Sequence, residues 1–400
     1  MSCAANLRAM RQTAWELLDD FLLLFDRHIR REGERAWVPY GSLPGYPQLS
    51  VSRDEPPSSR LTCDVALGYL VAHLEQPDEG RLQTAYALLR HALARQHPRG
   101  WFVWNYGQFE IDQVDLGTVL DTCYWFWTLL GDRLPADIRA GIVDSTRRAA
   151  AYLKTAEQPQ YPGIIQKRAG DPDHPESRRT ADYQTIDVIN GNALASTAFC
   201  RAAVILGDDS LVDEAARYQK NIVESFGRHL PGWWVYIERL GTRKILGPES
   251  IIYQAMTALY LEPLHRARAA RAASSPWHPL QELRDVLAAS LRTLAGVSDE
   301  NGQLDWSHES REMFIDTQLL MLPSAAAALA DVCDITGAGR RRLELVARSM
   351  YDRQAHWFVD GLGRRGRGEP AGELHQIWAA SDLALIILSA RRFEDGLPAG

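Results

Sequence analysis

Residues 182–208 read DYQTIDVINGNALASTAFCRAAVILGD. From Val188 onward the only charge before the terminal aspartate is Arg201, set in a run of Ala, Leu, Ile, Val, Gly, Ser and Cys. Such a run is long enough for a helix of about seven turns. A helix that is apolar all round belongs inside a protein. Its start is different. Tyr183, Asp187 and Asn190 or Gly191 fall at helical spacing on one face, with Asn192 and Ser196 nearby. The stretch predicts a buried helix that opens on hydrogen-bonding and acid–base side chains.

The same kind of segment recurs on both sides. Apolar stretches fall at 61–74, 112–131, 182–207, 247–266, 314–334 and 372–392. Amphipathic stretches with one apolar stripe fall at 5–31, 80–96, 135–154, 210–229, 278–296 and 340–355. The two kinds alternate strictly, at a spacing of about fifty to seventy residues, which marks a repeat architecture. No stretch shows sustained strand alternation. Repeats that bury a common face and close on themselves leave no exposed end. The last apolar segment, IWAASDLALIILSA (377–390), is too apolar to cap an open solenoid. The expected fold is therefore all-α, a double ring of six inner and six outer helices, with the N-terminal helix beside the C-terminal one. One domain spans 1–400, and 38–60, 155–181 and 361–371 are long loops at the rim.

Aromatic turns follow several outer segments: GWFVW (100–104), GWWVYIE (232–238), GQLDW (302–306) and HWFVDG (356–361). With the hairpin count, they make the chain resemble the (α/α)6 toroids. That group includes the six-hairpin glycosidases, the helical domains of polysaccharide lyases and uronyl epimerases, and the terpenoid cyclase and protein prenyltransferase superfamily. The resemblance covers nearly the whole chain and is architectural. Fold alone does not give function.

Composition narrows the partners. A net charge of −7, with no basic stripe carrying interleaved aromatics, gives no reason to expect nucleic acid. No signal-type segment opens the chain. No window reaches about eighteen uncharged apolar residues, so no membrane span is expected. The five cysteines are far apart, with no CxxC or Cys/His cluster. They read as small reduced residues, four of them in apolar helical runs, which points to the cytoplasm. No cofactor and no metal are expected, and a homo-oligomer is left open.

Each inner segment opens with a carboxylate: Asp64, Asp112 with Asp115, Asp182 with Asp187, Glu249, Asp316 and Glu373. Acids favour helix N-termini through capping and the macrodipole, each contributing about 0.3–1 kcal/mol, so any one of them has an ordinary structural reading. Together they suggest a mouth lined with acids, as glycoside hydrolysis requires. Asp187 and Asp115 are the expected acid–base pair, with Glu249, Asp316 and His375 in reserve. His375 is read as a base tuned near neutrality. Tyr183, Asn190, Asn192, Tyr253, Gln254, Gln318 and Trp378 are the expected substrate contacts, because amides and hydroxyls bind hydroxyl groups and flat rings cover sugar faces. The blander reading is that these groups bond to one another and to loop backbone.

The loop 166–182 holds Asp171, Asp173, His174 and Glu176, without the spacing of a calcium loop. GLGRRGRGE (361–369) reads as a lid or a plain loop. The expected function is an enzyme acting on a carbohydrate or sugar-containing metabolite by hydrolysis, β-elimination or epimerisation. A second reading is a terpenoid cyclase, suggested by CYWFW (123–127). The DxDD motif of a protonating cyclase is absent, IDQVD (111–115) and GDD (207–209) being the nearest approaches. LLDDFLLLFD (17–26) lies on an outer segment. A third reading is a binding toroid whose mouth acids are all spent in caps and salt bridges.

Overall fold

The computed structural model describes residues 2–45, 58–105, 110–174, 184–270, 279–308, 335–359 and 368–395. Among these are eleven helices: α1 (Cys3–Asp26), α2 (Ser59–Glu75), α3 (Glu79–Ala94), α4 (Gln113–Leu130), α5 (Ala136–Thr155), α6 (Ile189–Leu206), α7 (Ser210–Ser225), α8 (Ile251–Ala270), α9 (Leu280–Gly296), α10 (Thr336–Ser349) and α11 (Glu373–Asp395). Each matches a segment expected from periodicity. The fifth apolar segment, 314–334, lies outside the described residues.

The chain divides into two compact units. In the first, α1 packs along α10 and α11. The first and last helices therefore lie side by side, as the unpaired ends of the sequence pattern predict. The stripe Ala14, Leu17, Leu18, Phe21, Leu22 and Phe25 is fully buried. Each such Leu or Phe contributes about 1.5–3 kcal/mol of burial. Phe21 meets Phe25 and Phe358 edge-on, with ring centroids 5.1 and 5.0 Å apart.

In the second unit, α6 packs against α4, α5, α7 and α8. Ile189–Leu206 is long and apolar enough to cross a membrane, yet 89% of it is buried inside the protein. Its one charge, Arg201, is buried too. Arg201 Nε donates to Asp121 Oδ1 at 2.7 Å, and its guanidinium lies 3.8 Å from the Tyr124 ring centre. Gly117 on α4 permits close approach to α6, since a Cβ there would stand 3.1 Å from the Leu194 carbonyl oxygen.

Short antiparallel strands were not expected, and ten are present among the described residues. They are β1 (Arg30–Glu32), β2 (Arg35–Trp37), β3 (Val103–Asn105), β4 (Glu110–Asp112), β5 (Arg168–Gly170), β6 (Ile186–Val188), β7 (Val235–Arg239), β8 (Ile245–Glu249), β9 (Tyr351–Asp352) and β10 (Trp357–Phe358). They form two pairs, β1-β2 and β9-β10, and two three-stranded sheets, β3-β4-β5 and β6-β7-β8. At two to five residues they are too short to show a period of two. All lie in connections from an outer helix to the next inner one, so three of the aromatic turns are strands. The start of the third inner helix is corrected accordingly. Residues 186–188 are β6, paired with β7, and α6 begins at Ile189.

One fastening recurs at these connections. The fourth residue of α8, Gln254, accepts from Trp234 N at 3.0 Å and donates to Gly232 O at 2.9 Å. The fourth residue of α11, Gln376, accepts from Phe358 N at 3.0 Å and donates to Phe358 O at 2.7 Å. The fourth residue of α6, Asn192, accepts from Ile165 N at 2.8 Å. Each of these three inner helices thus uses a buried amide to satisfy the strand or turn in front of it. Glycine supplies the matching contact on the outer layer. At Gly100 (φ +109°) a Cβ would collide with the Arg148 carbonyl of α5, and at Gly302 (φ +83°) it would lie 2.6 Å from the Arg341 carbonyl of α10.

The cysteine reading is corrected at one position. Cys3 is disulfide-bonded, whereas Cys63, Cys123 and Cys200 are free and buried.

Candidate active site

In the second unit β4 runs directly into α4, β6 into α6, and β8 ends two residues before α8. The acids of the sequence pattern are carried to these junctions. Asp112 caps α4, accepting from Val114 N at 2.9 Å. It also pairs with Arg168 Nε at 2.8 Å and lies 4.0 Å from Lys167 Nζ. Burial works against its charge, but the two cations outweigh that and hold its carboxyl below the usual range. Asp112 is therefore a structural anion. Asp115, in the first turn of α4, has no solvent contact.

Asp187 lies on β6, and both of its oxygens are held. Asn192 Nδ2 donates to Oδ1 at 2.8 Å, and Asn221 Nδ2 on α7 donates to Oδ2 at 2.5 Å. Across the ladder its partner on β7 is Glu238. Neither residue has solvent contact. Burial pushes the Asp187 carboxyl up to about 6, the Asn221 hydrogen bond pulls it down, and the Glu238 charge pushes it up again. A carboxyl poised there exchanges a proton readily near neutral pH.

Beside these acids lies an aromatic and cationic cluster. The Tyr236 and Tyr253 rings stack at 3.5 Å with 2° between planes. Lys167 Nζ donates to the Tyr236 hydroxyl at 3.3 Å, and its stem lies where Gly191 lacks a side chain. Asn190 is buried in the first turn of α6. Glu249, at the end of β8, is half-buried.

Other expected residues have different roles or places. The amides of Asn192 and Gln254 are committed to backbone and, for Asn192, to Asp187. In the first unit Glu373 accepts from Gly41 N at 2.7 Å and Leu43 N at 3.3 Å, so it fastens the loop after β2. His375 is fully buried, and its ring stands edge-on to Trp378 at 5.3 Å. Burial pushes its pKa down to about 3, which corrects the expectation of a base tuned near neutrality. Tyr183, Asp316 and Gln318 lie outside the described residues. Tyr124, Trp125 and Phe126 are buried, with Tyr124 and Trp125 packed around Arg201.

Among the described residues no three His, Cys, Asp or Glu side chains are grouped to hold a metal ion. Asp173 is paired with Arg99 and, at 2.9 Å, with His97. Glu176 lies outside the described residues. Sequence reasoning missed Glu238, Asn221, Lys167 and Tyr236. The readable signal was the acid Glu238 straight after the apolar run WWVYI (233–237).

No protein-family model matches the sequence, and no curated protein matches it. Solved structures do. The unsaturated glucuronyl hydrolase from Bacillus sp. GL1 is 13% identical, covers 98% of this chain and 97% of its own, and gives a TM-score of 0.61. The cellobiose 2-epimerase from Bacillus thermoamylovorans B4167 is 10% identical, covers 92% and 98%, and gives 0.63. A D-mannose isomerase is 13% identical, covers 94% and 96%, and gives 0.61. The fold is the (α/α)6 toroid that the alternating helices predict.

Proposed function

We propose that the chain is an enzyme acting on a carbohydrate or a sugar-containing metabolite through carboxylate acid–base chemistry, with glycosidic hydrolysis as the leading reaction. The observation that carries this reading is Asp187, a buried carboxyl poised at about 6 on β6, two residues before α6. A second buried carboxylate, Asp115, opens the adjoining α4. Hydrolysis uses a pair of acids, one to donate a proton and one to serve as base or nucleophile. His375, pushed down to about 3, is a poor match for a histidine-based proton abstraction. The structural neighbours support the sugar class, because the named activities among them are a glucuronyl hydrolase, a sugar epimerase and an isomerase. Tyr253, partly exposed and backed by the buried Tyr236, offers a flat face for a sugar ring.

The test is a substrate panel: an unsaturated glucuronyl disaccharide, saturated β-glucosides, cellobiose and mannose. Turnover is followed for the wild type, Asp187→Asn and Asp115→Asn, with circular dichroism to confirm folding. Each substitution should lower turnover by about a hundredfold or more on one substrate of the panel. Full activity in a folded Asp187→Asn protein would remove Asp187 from the mechanism. An epimerised product instead of a hydrolysed one would replace hydrolysis within the same sugar class.

A further inference from the structure

Glu238 is an acid placed where an apolar strand residue would be expected, and its surroundings are built around it. Its side chain has no solvent contact, yet both oxygens are occupied. Arg228 Nη1 donates to Oε1 at 2.5 Å, and Arg243 Nη1 donates to the same oxygen at 2.6 Å. His229 Nε2 lies 2.9 Å from Oε2. Arg243 sits in the turn between β7 and β8 with φ +56°, a left-handed backbone in which glycine would be unstrained. A long cation occupies that place, and its guanidinium reaches the buried carboxylate. Non-glycine residues in such conformations persist where the surroundings over-determine them, and they cluster at functional sites.

The register puts Glu238 directly opposite Asp187. Such cross-strand partners have Cα atoms about 4.5–5.5 Å apart. The Glu238 oxygens face their clamp, and the Asp187 oxygens face Asn192 and Asn221. The two carboxylates therefore act on each other through space. Burial works against the Glu238 charge, but His229, Arg228 and Arg243 outweigh it and hold its carboxyl below the usual range.

We infer that Glu238 is a positioning residue for Asp187: a buried carboxylate clamped by Arg228, His229 and Arg243 that decides when Asp187 releases its proton. This deepens the carboxylate mechanism and rests on that reading for its link to turnover. The groups around Asp187 are Asn192 from α6, Asn221 from α7, Glu238 from β7, Arg228 and His229 from the segment after α7, and Arg243 from the β7–β8 turn. Glu238 opposes ionisation of Asp187, while Arg243 and Arg228 favour it. The balance runs through Glu238 because both arginines are anchored to it.

The experiment titrates the Asp187 carboxyl itself. Carboxyl infrared spectra of the full chain are recorded against pH, and the Asp187→Asn spectrum is subtracted to isolate one group. Glu238→Gln should lower the Asp187 midpoint by about one pH unit. Arg243→Gln should raise it. Arg243 is partly exposed, so that variant keeps the test decisive if Glu238→Gln does not fold. A midpoint that stays put in folded Arg243→Gln overturns the inference and leaves the proposed function standing. The limb of the pH–rate profile set by Asp187 should follow the midpoint. A midpoint that moves while the profile does not would take Asp187 out of catalysis and leave Glu238 in control of its proton.

Discussion

Arg201 and Asp121 form a buried ion pair between α6 and α4 in the heart of the second unit, 2.7 Å apart. Trp125 Nε1 donates to the second Asp121 oxygen at 3.1 Å. Asp121 balances the one charge on α6, and that balance is costly to disturb from one side. Asp121→Leu leaves a buried guanidinium uncompensated and should cost about 3–5 kcal/mol. The double change Asp121→Leu with Arg201→Met should recover most of that loss. Urea unfolding of the three proteins measures it. Equal losses in the single and double variants would mean that the pair is not the source.

Asp187 and His375 give opposite pH slopes. Folded Asp187 keeps its proton to about 6, while the unfolded group loses it near 3.8, so stability falls as pH rises between those values. Unfolded His375 takes a proton near 6.5 and the folded group only at about 3, so stability falls as pH drops through that window. Each slope is about 1.4 kcal/mol per pH unit where it acts alone. Relative to wild type, Asp187→Asn should gain stability as pH rises from about 4 to 6, and His375→Phe should lose it over the same range. Thermal unfolding across that range tests both. Curves parallel to wild type would contradict the buried ionisation states.

The amides of Gln254 and Gln376 satisfy buried backbone. Replacing either with Ala should cost about 1–3 kcal/mol. The result also decides a functional question, because the sequence reads Gln254 as a sugar contact. A raised KM for Gln254→Ala with unchanged stability would give the amide to the substrate. Lost stability with unchanged KM gives it to the fold, which is the outcome its hydrogen bonds predict.

Gly100 and Gly207 separate backbone strain from collision. Both have positive φ, but a Cβ on Gly207 meets open space, whereas one on Gly100 meets the Arg148 carbonyl and Tyr152. Gly207→Ala should cost about 1 kcal/mol. Gly100→Ala should cost at least about 2 kcal/mol more. Comparable midpoints in chemical unfolding would show that the α5 backbone yields easily.

The helical frame was legible because helices of fourteen to twenty-four residues repeat their apolar period several times. The strands were not, since β9 and β10 are two residues each. That blindness moved the site. Asp187 reads as a helix-start acid, yet it is a strand residue, and its partner is fixed by ladder register that no local pattern reveals. Asn221 was passed over because α7 is amphipathic and its residues read as surface, although this one turns inward. Spacing places His375 in the first turn of the last helix, but not its depth of burial, and it is burial that lowers its proton affinity.

The amide fastening at Asn192, Gln254 and Gln376 bears on how such a chain changes over generations. A connection secured by one residue of the following helix does not depend on its own composition to stay in place. Insertions and substitutions elsewhere in it leave the frame seated, so new specificities can be tried there without unfolding the ring that presents them.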